Sequence, residues 1–203
     1  MPVVRKLQSV LMRDLLADPA DLGAIRSRIV HIQDSVHVPS QVPAVLEESL
    51  DAVVGKARQT KNPVEAAFFL WVNIAYLQPF VDGNKRTSRL AENMPLLLAN
   101  CAPLSFLDVE RHDYAWAMLG VYERQDTTAA AELFEWTHRR SIQKYQAVTE
   151  SMSGPGPLRA LYRESLSDIV RLLVFEGTTL RAALAQVLSP VSQSPASAPC
   201  VEP

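Results

Sequence analysis

Cysteine is almost missing from this chain. There are two among 203 residues, Cys101 in an apolar stretch and Cys200 in a Pro/Ser tail. That count excludes a disulfide framework, so both read as free thiols. A chain of this length buries enough surface to stand without a metal or disulfide staple. Histidine is scarce too, and His31, His37, His112 and His138 show no zinc-ligand spacing. No apolar run can span a bilayer: the most apolar one, residues 64–77, is short and is broken by Glu65 and Asn73. Charge of one sign is not in excess. Twenty basic residues face 22 acidic ones for a net charge of -2, which argues against a protein that coats nucleic acid. The N-terminus, MPVVRKLQSVLMRDLL, lacks a continuous apolar core and a small-residue cleavage site. The expectation is a cytoplasmic protein with no membrane and no nucleic-acid partner.

Most of the sequence has helical spacing. Apolar residues recur at three and four over residues 8–16, with Pro19 as a stop, and again over 46–57. Residues 64–77 are apolar on nearly every side, which predicts a central buried helix with Pro63 in its first turn. A helix over 86–98 contains Pro95, so a kink or an early end is expected there. Residues 113–123 and 128–146 complete the set, with Asp126 as a cap for the latter. Trp71, Trp116 and Trp136 sit at helical positions and read as packing residues. Arg139, Arg140 and Lys144 read as a solvated face.

Residues 25–38, IRSRIVHIQDSVHV, differ. Their alternation, β-branched content and Asp34-Ser35 turn signal predict a short β-hairpin. A two-stranded ribbon is marginal alone, so it must lean on the helices or await a partner strand. The expected organisation is a domain over 1–150, a Gly/Pro linker over 151–157, a helical extension over 158–188 and a disordered Pro/Ser tail over 189–203.

The chemistry concentrates in Gln78-Pro79-Phe80-Val81-Asp82-Gly83-Asn84-Lys85-Arg86-Thr87-Ser88-Arg89. Pro79 pushes its predecessor out of helical geometry and so ends the buried helix. A loop follows, and a new helix starts near Asn84 or Lys85. Free N–H groups at a helix start favour an anion. Arg86 and Arg89, three apart, place two guanidinium forks on one side of that helix, which suits a polyphosphate. Asp82 beside them is the minimal holder for Mg²⁺ next to bound phosphates. A short basic turn of this kind is also compatible with a merely solvated loop.

This string resembles the core motif of the Fic family, written His-Pro-Phe-x-Asp/Glu-Gly-Asn-Gly/Lys-Arg-x-x-Arg. The resemblance extends over roughly residues 20–145, through the apolar helix before the motif and LLLANCAPLSFLDVERHDYAWAML after it. It implies an all-α fold, a Fic-type helical core with a small β-hairpin flap. It also implies an ATP- and Mg²⁺-dependent transfer of AMP to a Ser, Thr or Tyr hydroxyl of a target protein, and it admits an antitoxin or regulatory partner. By motif position, Phe80 packs beneath the loop and Asp82 holds the metal. Gly83, Asn84 and the neighbouring N–H groups form the anion hole, Arg86 and Arg89 grip the phosphates, and Lys85 belongs to the same phosphate-binding set. The flap residues Arg28, Ile29, Val30, His31 and Ile32 hold the target by strand addition.

Two departures bear on activity. Gln78 stands where the family has the histidine that deprotonates the attacking hydroxyl. A carboxamide cannot take that proton, so weak or lost transfer is expected. His31, His37 and His112 are the histidines that could approach in space. Lys85 stands where AMP-transferring members have glycine. A lysine there resembles the Doc branch, so phosphotransfer is the enzyme alternative and a non-catalytic protein-binding module the other. A family inhibitory helix carries Ser/Thr-x-x-x-Glu-Gly/Asn. Glu176-Gly177 matches its end but Leu172 departs from its start, which makes Glu176 a candidate inhibitory partner of Arg89.

Overall fold

The computed structural model describes residues 2–152 and 162–188, so residues 153–157 of the expected linker, the expected tail and Cys200 lie outside the described residues, while Ser151 and Met152, expected to begin the linker, are the last residues of a helix. The described elements are helical: α1 Pro2–Leu11, a 3₁₀ turn Pro19–Asp21, α2 Pro43–Gln59, α3 Pro63–Leu77, α4 Asn84–Ala91, α5 Asn93–Leu98, α6 Arg111–Arg124, α7 Thr128–Met152, α8 Arg163–Val174 and α9 Leu180–Leu188. The chain divides into two compact units, Met1–Val148 and Thr149–Pro203. Among the described residues, no helix is long and apolar enough to cross a membrane.

In the first unit α3 is the axle. Asn62 caps it by accepting from the N–H groups of Val64 and Glu65, with Pro63 at its first position. Its two sides feed two cores. Trp71, Val72 and Ala75 meet Leu96, Phe106, Tyr114, Met118 and Phe134 on one side. Leu70 and Ile74 meet Val4, Leu50, Val53, Phe80 and Ala91 on the other. Trp71 stacks with Phe134 at 5.8 Å and its indole N–H donates to the Tyr114 hydroxyl at 3.0 Å. A buried indole needs that partner. The other two tryptophans are corrections to the sequence reading. Trp116 is 72% exposed and Trp136 49%, the latter under the Arg140 guanidinium. Arg139, Arg140 and Lys144 are exposed, as expected of a solvated face, with Arg140 and Lys144 both paired to Asp108.

The helix expected over 86–98 is two helices, broken at Glu92. The break precedes Pro95 by three residues. Proline has no N–H to offer and its ring crowds the carbonyl four residues back, which is Ala91. The first helix, expected over 8–16, instead spans Pro2–Leu11 and gives way to a turn at Met12. Asp126 does cap α7, accepting from the Thr128 N–H at 2.9 Å.

The expected β-hairpin is not formed: residues 25–38 contain no strand. The turn is where the sequence puts it, with Asp34 at φ 63 and the Ser35 N–H on the Ile32 carbonyl. The arms bond elsewhere, however. Arg26, 2% exposed, donates from Nε to Gln78 O at 2.6 Å and from Nη2 to Ser40 O at 2.7 Å, and its own N–H donates to Pro79 O. On the returning arm, Glu123 of α6 accepts from the Ser35 hydroxyl and the Val36 N–H. A guanidinium and a carboxylate therefore replace the ladder.

In the second unit α8 and α9 form a helical pair, with Ile169 and Ala183 buried. Glu176 lies beyond the end of α8, not within a helix. Gly177 takes φ 62, and the Thr178 N–H and hydroxyl both donate to Leu172 O.

Candidate functional site

Gln78 ends α3 in the left-handed region, at φ 49 and ψ 54. For a residue with a side chain that conformation is uncommon and must be held by its surroundings. Two contacts hold it: its carbonyl accepts from buried Arg26, and its side-chain Nε2 donates to Ala75 O at 2.6 Å.

The loop after Gln78 is clasped by its own side chains. Asn84 is buried; its Oδ1 accepts from the Phe80 N–H at 2.9 Å and its Nδ2 donates to Phe80 O at 2.7 Å. The pair satisfies both polar groups of a residue whose ring is fully buried. Gly83 caps α4 at φ 80, and a Cβ there would lie 2.6 Å from the Met12 sulfur. This glycine is required twice, by conformation and by space. From α1, buried Gln8 bridges the loop to residue 23: Nε2 donates to Asp82 O at 3.2 Å, and Oε1 accepts from the Gly23 N–H at 2.6 Å.

The result is a cleft of about 840 Å³. Its floor is Gln78, Val81, Asp82, Gly83 and Asn84. The start of α4 adds Lys85, Arg86 and Arg89, the start of α6 adds Arg111, His112 and Tyr114, and the flap adds Val30, His31 and Ile32. Of the sequence-predicted residues, all the motif positions except Phe80 line the cleft, and Phe80 packs below it. Of the flap residues, Arg28 pairs with Asp21 and Ile29 is 66% exposed; neither lines the cleft. His31 and His112 reach the cleft with Gln78, while His37 does not line it and packs tilted against Tyr76 and stacked on Tyr122. Glu176 belongs to the other unit.

Charge in the cleft is mostly positive. Asp82 and Arg86 make one loose pair at 3.5 Å. Partial loss of water, and then the like charges of Arg89 and Arg111, hold Lys85 below its ordinary value. Burial pushes the Tyr114 phenol up to about 12, so it stays a neutral ring. Among the described residues no group of three His, Cys, Asp or Glu could hold a metal without help.

Sequence reasoning missed Gln8, Arg26, Arg111 and Glu92. The first three act across long sequence separations that no local pattern reveals. Glu92 is fully buried and neither carboxylate oxygen has a hydrogen-bond partner. Burial pushes its pKa well above the ordinary range, against the smaller opposing pull of Arg89. The folded state therefore binds the proton more tightly than the unfolded one. Stability falls as pH rises from the unfolded pKa toward the folded one. Glu92→Gln, which keeps a neutral side chain, is expected to flatten that fall and to be more stable than the parent at pH 8. Urea denaturation at pH 5 and pH 8 measures both; an unchanged slope would show that Glu92 is not buried as a neutral acid.

Comparisons with known proteins fit this geometry. Residues 2–96 match the model of the Fic/DOC family. A protein adenylyltransferase Fic from Nematostella vectensis is 31% identical over 125 residues, which is 55% of this chain and 29% of that protein. The chain spans roughly a quarter to a third of the curated relatives it matches. Among solved structures, Fic-1 (residues 134–508) from C. elegans superposes with a TM-score of 0.59 at 23% identity, over 74% of this chain and 44% of that one. BepC from Bartonella tribocorum, a VirB-translocated effector with bound AMPPNP, gives 0.54 at 13% identity, over 66% and 73%. The helical fold is shared with both, and residues 2–96, from α1 into α5, are the part of this chain that is similar to the Fic/DOC family.

Proposed function

We propose that this protein binds ATP in the cleft and is of the adenylyltransferase type, transferring AMP to a target hydroxyl weakly or not at all. One observation carries this reading: the clasped loop brings Asp82, Gly83, Asn84, Arg86 and Arg89 to one cleft, with the flap at its edge. The N–H groups at the start of α4 and the two arginines supply donors for phosphate oxygens. The Asp82 carboxylate fits Mg²⁺, since it is exposed and a single carboxylate plus phosphates is a usual holder. When bound, the metal neutralises phosphate charge. The flap residues Val30, His31 and Ile32 would hold an extended target segment, gaining on binding the strand partner they lack alone. The target is a protein presenting Ser, Thr or Tyr, and an ATP-dependent reaction suits the cytoplasm.

Gln78 sets the limit. Its amide nitrogen is spent on Ala75, which leaves a carbonyl oxygen that can accept a hydrogen bond but cannot keep the proton near neutrality. Lys85 in the cleft favours phosphotransfer in the Doc manner as the second reading. Titration calorimetry of the full chain with ATP and Mg²⁺ is expected to show binding, and Arg86→Ala to weaken it at least about tenfold. A parent chain that takes up no ATP would leave only a protein-binding role.

A further inference from the structure

The flap is closed at its base by a single side chain. Arg26 is buried, and each nitrogen of its guanidinium donates to a carbonyl oxygen. Nη1 donates to Arg28 O at 3.0 Å, where the flap departs, and Nη2 to Ser40 O at 2.7 Å, where it returns. Nε donates to Gln78 O at 2.6 Å, and the Arg26 N–H to Pro79 O at 3.0 Å. Nη1 also reaches Gln41 Oε1 at 3.4 Å, beside the returning end.

Among the described residues no carboxylate pairs with this guanidinium, and burial lowers its pKa without an opposite charge to offset it. A charge buried alone is costly, and an apolar side chain in such a place is often no worse for stability. An apolar side chain cannot hold three separate carbonyls, whereas the rigid guanidinium fork can. The tip of the flap is tied elsewhere, to α6, through Glu123 and through His37 on Tyr122. Between base and tip, Ile29, Val30 and His31 give no backbone N–H or carbonyl to another described residue. That arm is an open edge, and Val30 and His31 line the cleft.

We infer that Arg26 is a positioning residue for the acceptor: it joins both ends of the flap to the backbone of residue 78, so that a target segment paired to the open arm presents its hydroxyl in fixed register with that residue. The inference deepens the proposed transfer and rests on it for the nature of the target, while the joint itself stands on the hydrogen bonds. Register matters because a slip of one residue turns every side chain of an extended segment to the opposite face. An arm tied only at its tip would be free to slide along the cleft. An arm tied to Gln78 O moves only with Gln78. Arg26 touches no reacting atom and acts through residue 78 and the flap alone.

The test compares Arg26→Lys, which keeps the charge and loses the fork, with Glu123→Ala, which frees the tip and leaves the base intact. Glu123 is exposed, so its substitution keeps the fold and its outcome stands by itself. Amide hydrogen exchange on the full chain reads both. Losing the charged hydrogen bonds of the fork is expected to speed exchange at residues 35–37 and at residue 78 together, by about ten- to a hundredfold. Glu123→Ala should speed exchange around Val36 and leave residue 78 as it is in the parent. Binding and transfer are then read on the Gln78→His chain with and without Arg26→Lys. ATP affinity by calorimetry should stay within about twofold, because the phosphate donors come from α4 and its loop. Transfer by intact mass should fall about a hundredfold, the cost of misplacing a reacting group by about 1 Å. An arginine that only stabilises the fold would lower affinity and transfer in step, and that result would overturn the inference. So would Arg26→Lys exchanging at residue 78 like the parent, or Glu123→Ala loosening residue 78 as much as Arg26→Lys does. A Gln78→His chain that transfers nothing would sink the transfer reading instead, and the exchange comparison would still decide the joint.

Discussion

Gln78→His is expected to raise transfer from ATP to protein by about 10²–10⁴, the range over which a positioned general base acts. The measurement is intact mass after incubation with ATP and Mg²⁺, the parent chain beside the variant. The reasoning is local. Gln78 sits at the mouth of the loop in a left-handed conformation fixed by Arg26 from one side and Ala75 from the other. An imidazole placed on that backbone inherits the position without needing a new fold. Its pKa near neutrality lets it accept the hydroxyl proton that a carboxamide refuses. The size of any mass gain separates AMP from phosphate, and so separates the adenylyl and Doc-like readings. A gain already present in the parent would mean that another group takes the proton, and His31 and His112, which line the same cleft, are the first to test. No gain in either chain would mean that the loop binds without transferring.

Much of this architecture was legible locally. Residues 64–77 declare a buried helix because every face is apolar, and α3 buries Ala66, Ala67, Leu70, Trp71, Val72, Ile74 and Ala75. The loop after α3 was legible because its chemistry is contiguous: a glycine, an asparagine and two spaced arginines fall between residues 83 and 89. The tertiary supports of that loop were not. Gln8 reaches Asp82 across 74 positions and Arg26 reaches Gln78 across 52. A lone glutamine on one helix and an arginine in a loop carry no pattern that foretells such partners. The hairpin reading failed for a related reason. Alternation and a turn signal specify an extended segment, but whether its two arms pair depends on competitors elsewhere. Arg26 and Glu123 compete successfully. Tryptophan misled in the same way, since Trp116 and Trp136 hold helical positions yet remain exposed, Trp136 covered only in part by Arg140.

Phe80→Ala is expected to cost about 3–5 kcal/mol, the usual range for emptying a fully buried aromatic site. For a unit of this size that lowers Tm by about 6–20 °C, readable by thermal melting followed by circular dichroism. Phe80 joins α1, α2 and α3 through Val4, Leu50, Val53, Leu70 and Ile74, so its ring fastens the loop to three helices. Its backbone is gripped by Asn84, whose own place at the first turn of α4 depends on that grip. The functional consequence should therefore exceed the thermal one. At a temperature where the variant remains folded, ATP affinity is expected to fall as well, because the N–H groups of Gly83 and Asn84 are no longer aimed at one point. Phe80→Leu, which refills most of the volume, separates the two effects: it should restore most of the stability and, if the clasp alone aims the loop, most of the affinity. A Phe80→Ala chain that melts within about 2 °C of the parent would show that the loop collapses into the cavity, and that α1, through Gln8 and Met12, holds the cleft open without help from the ring.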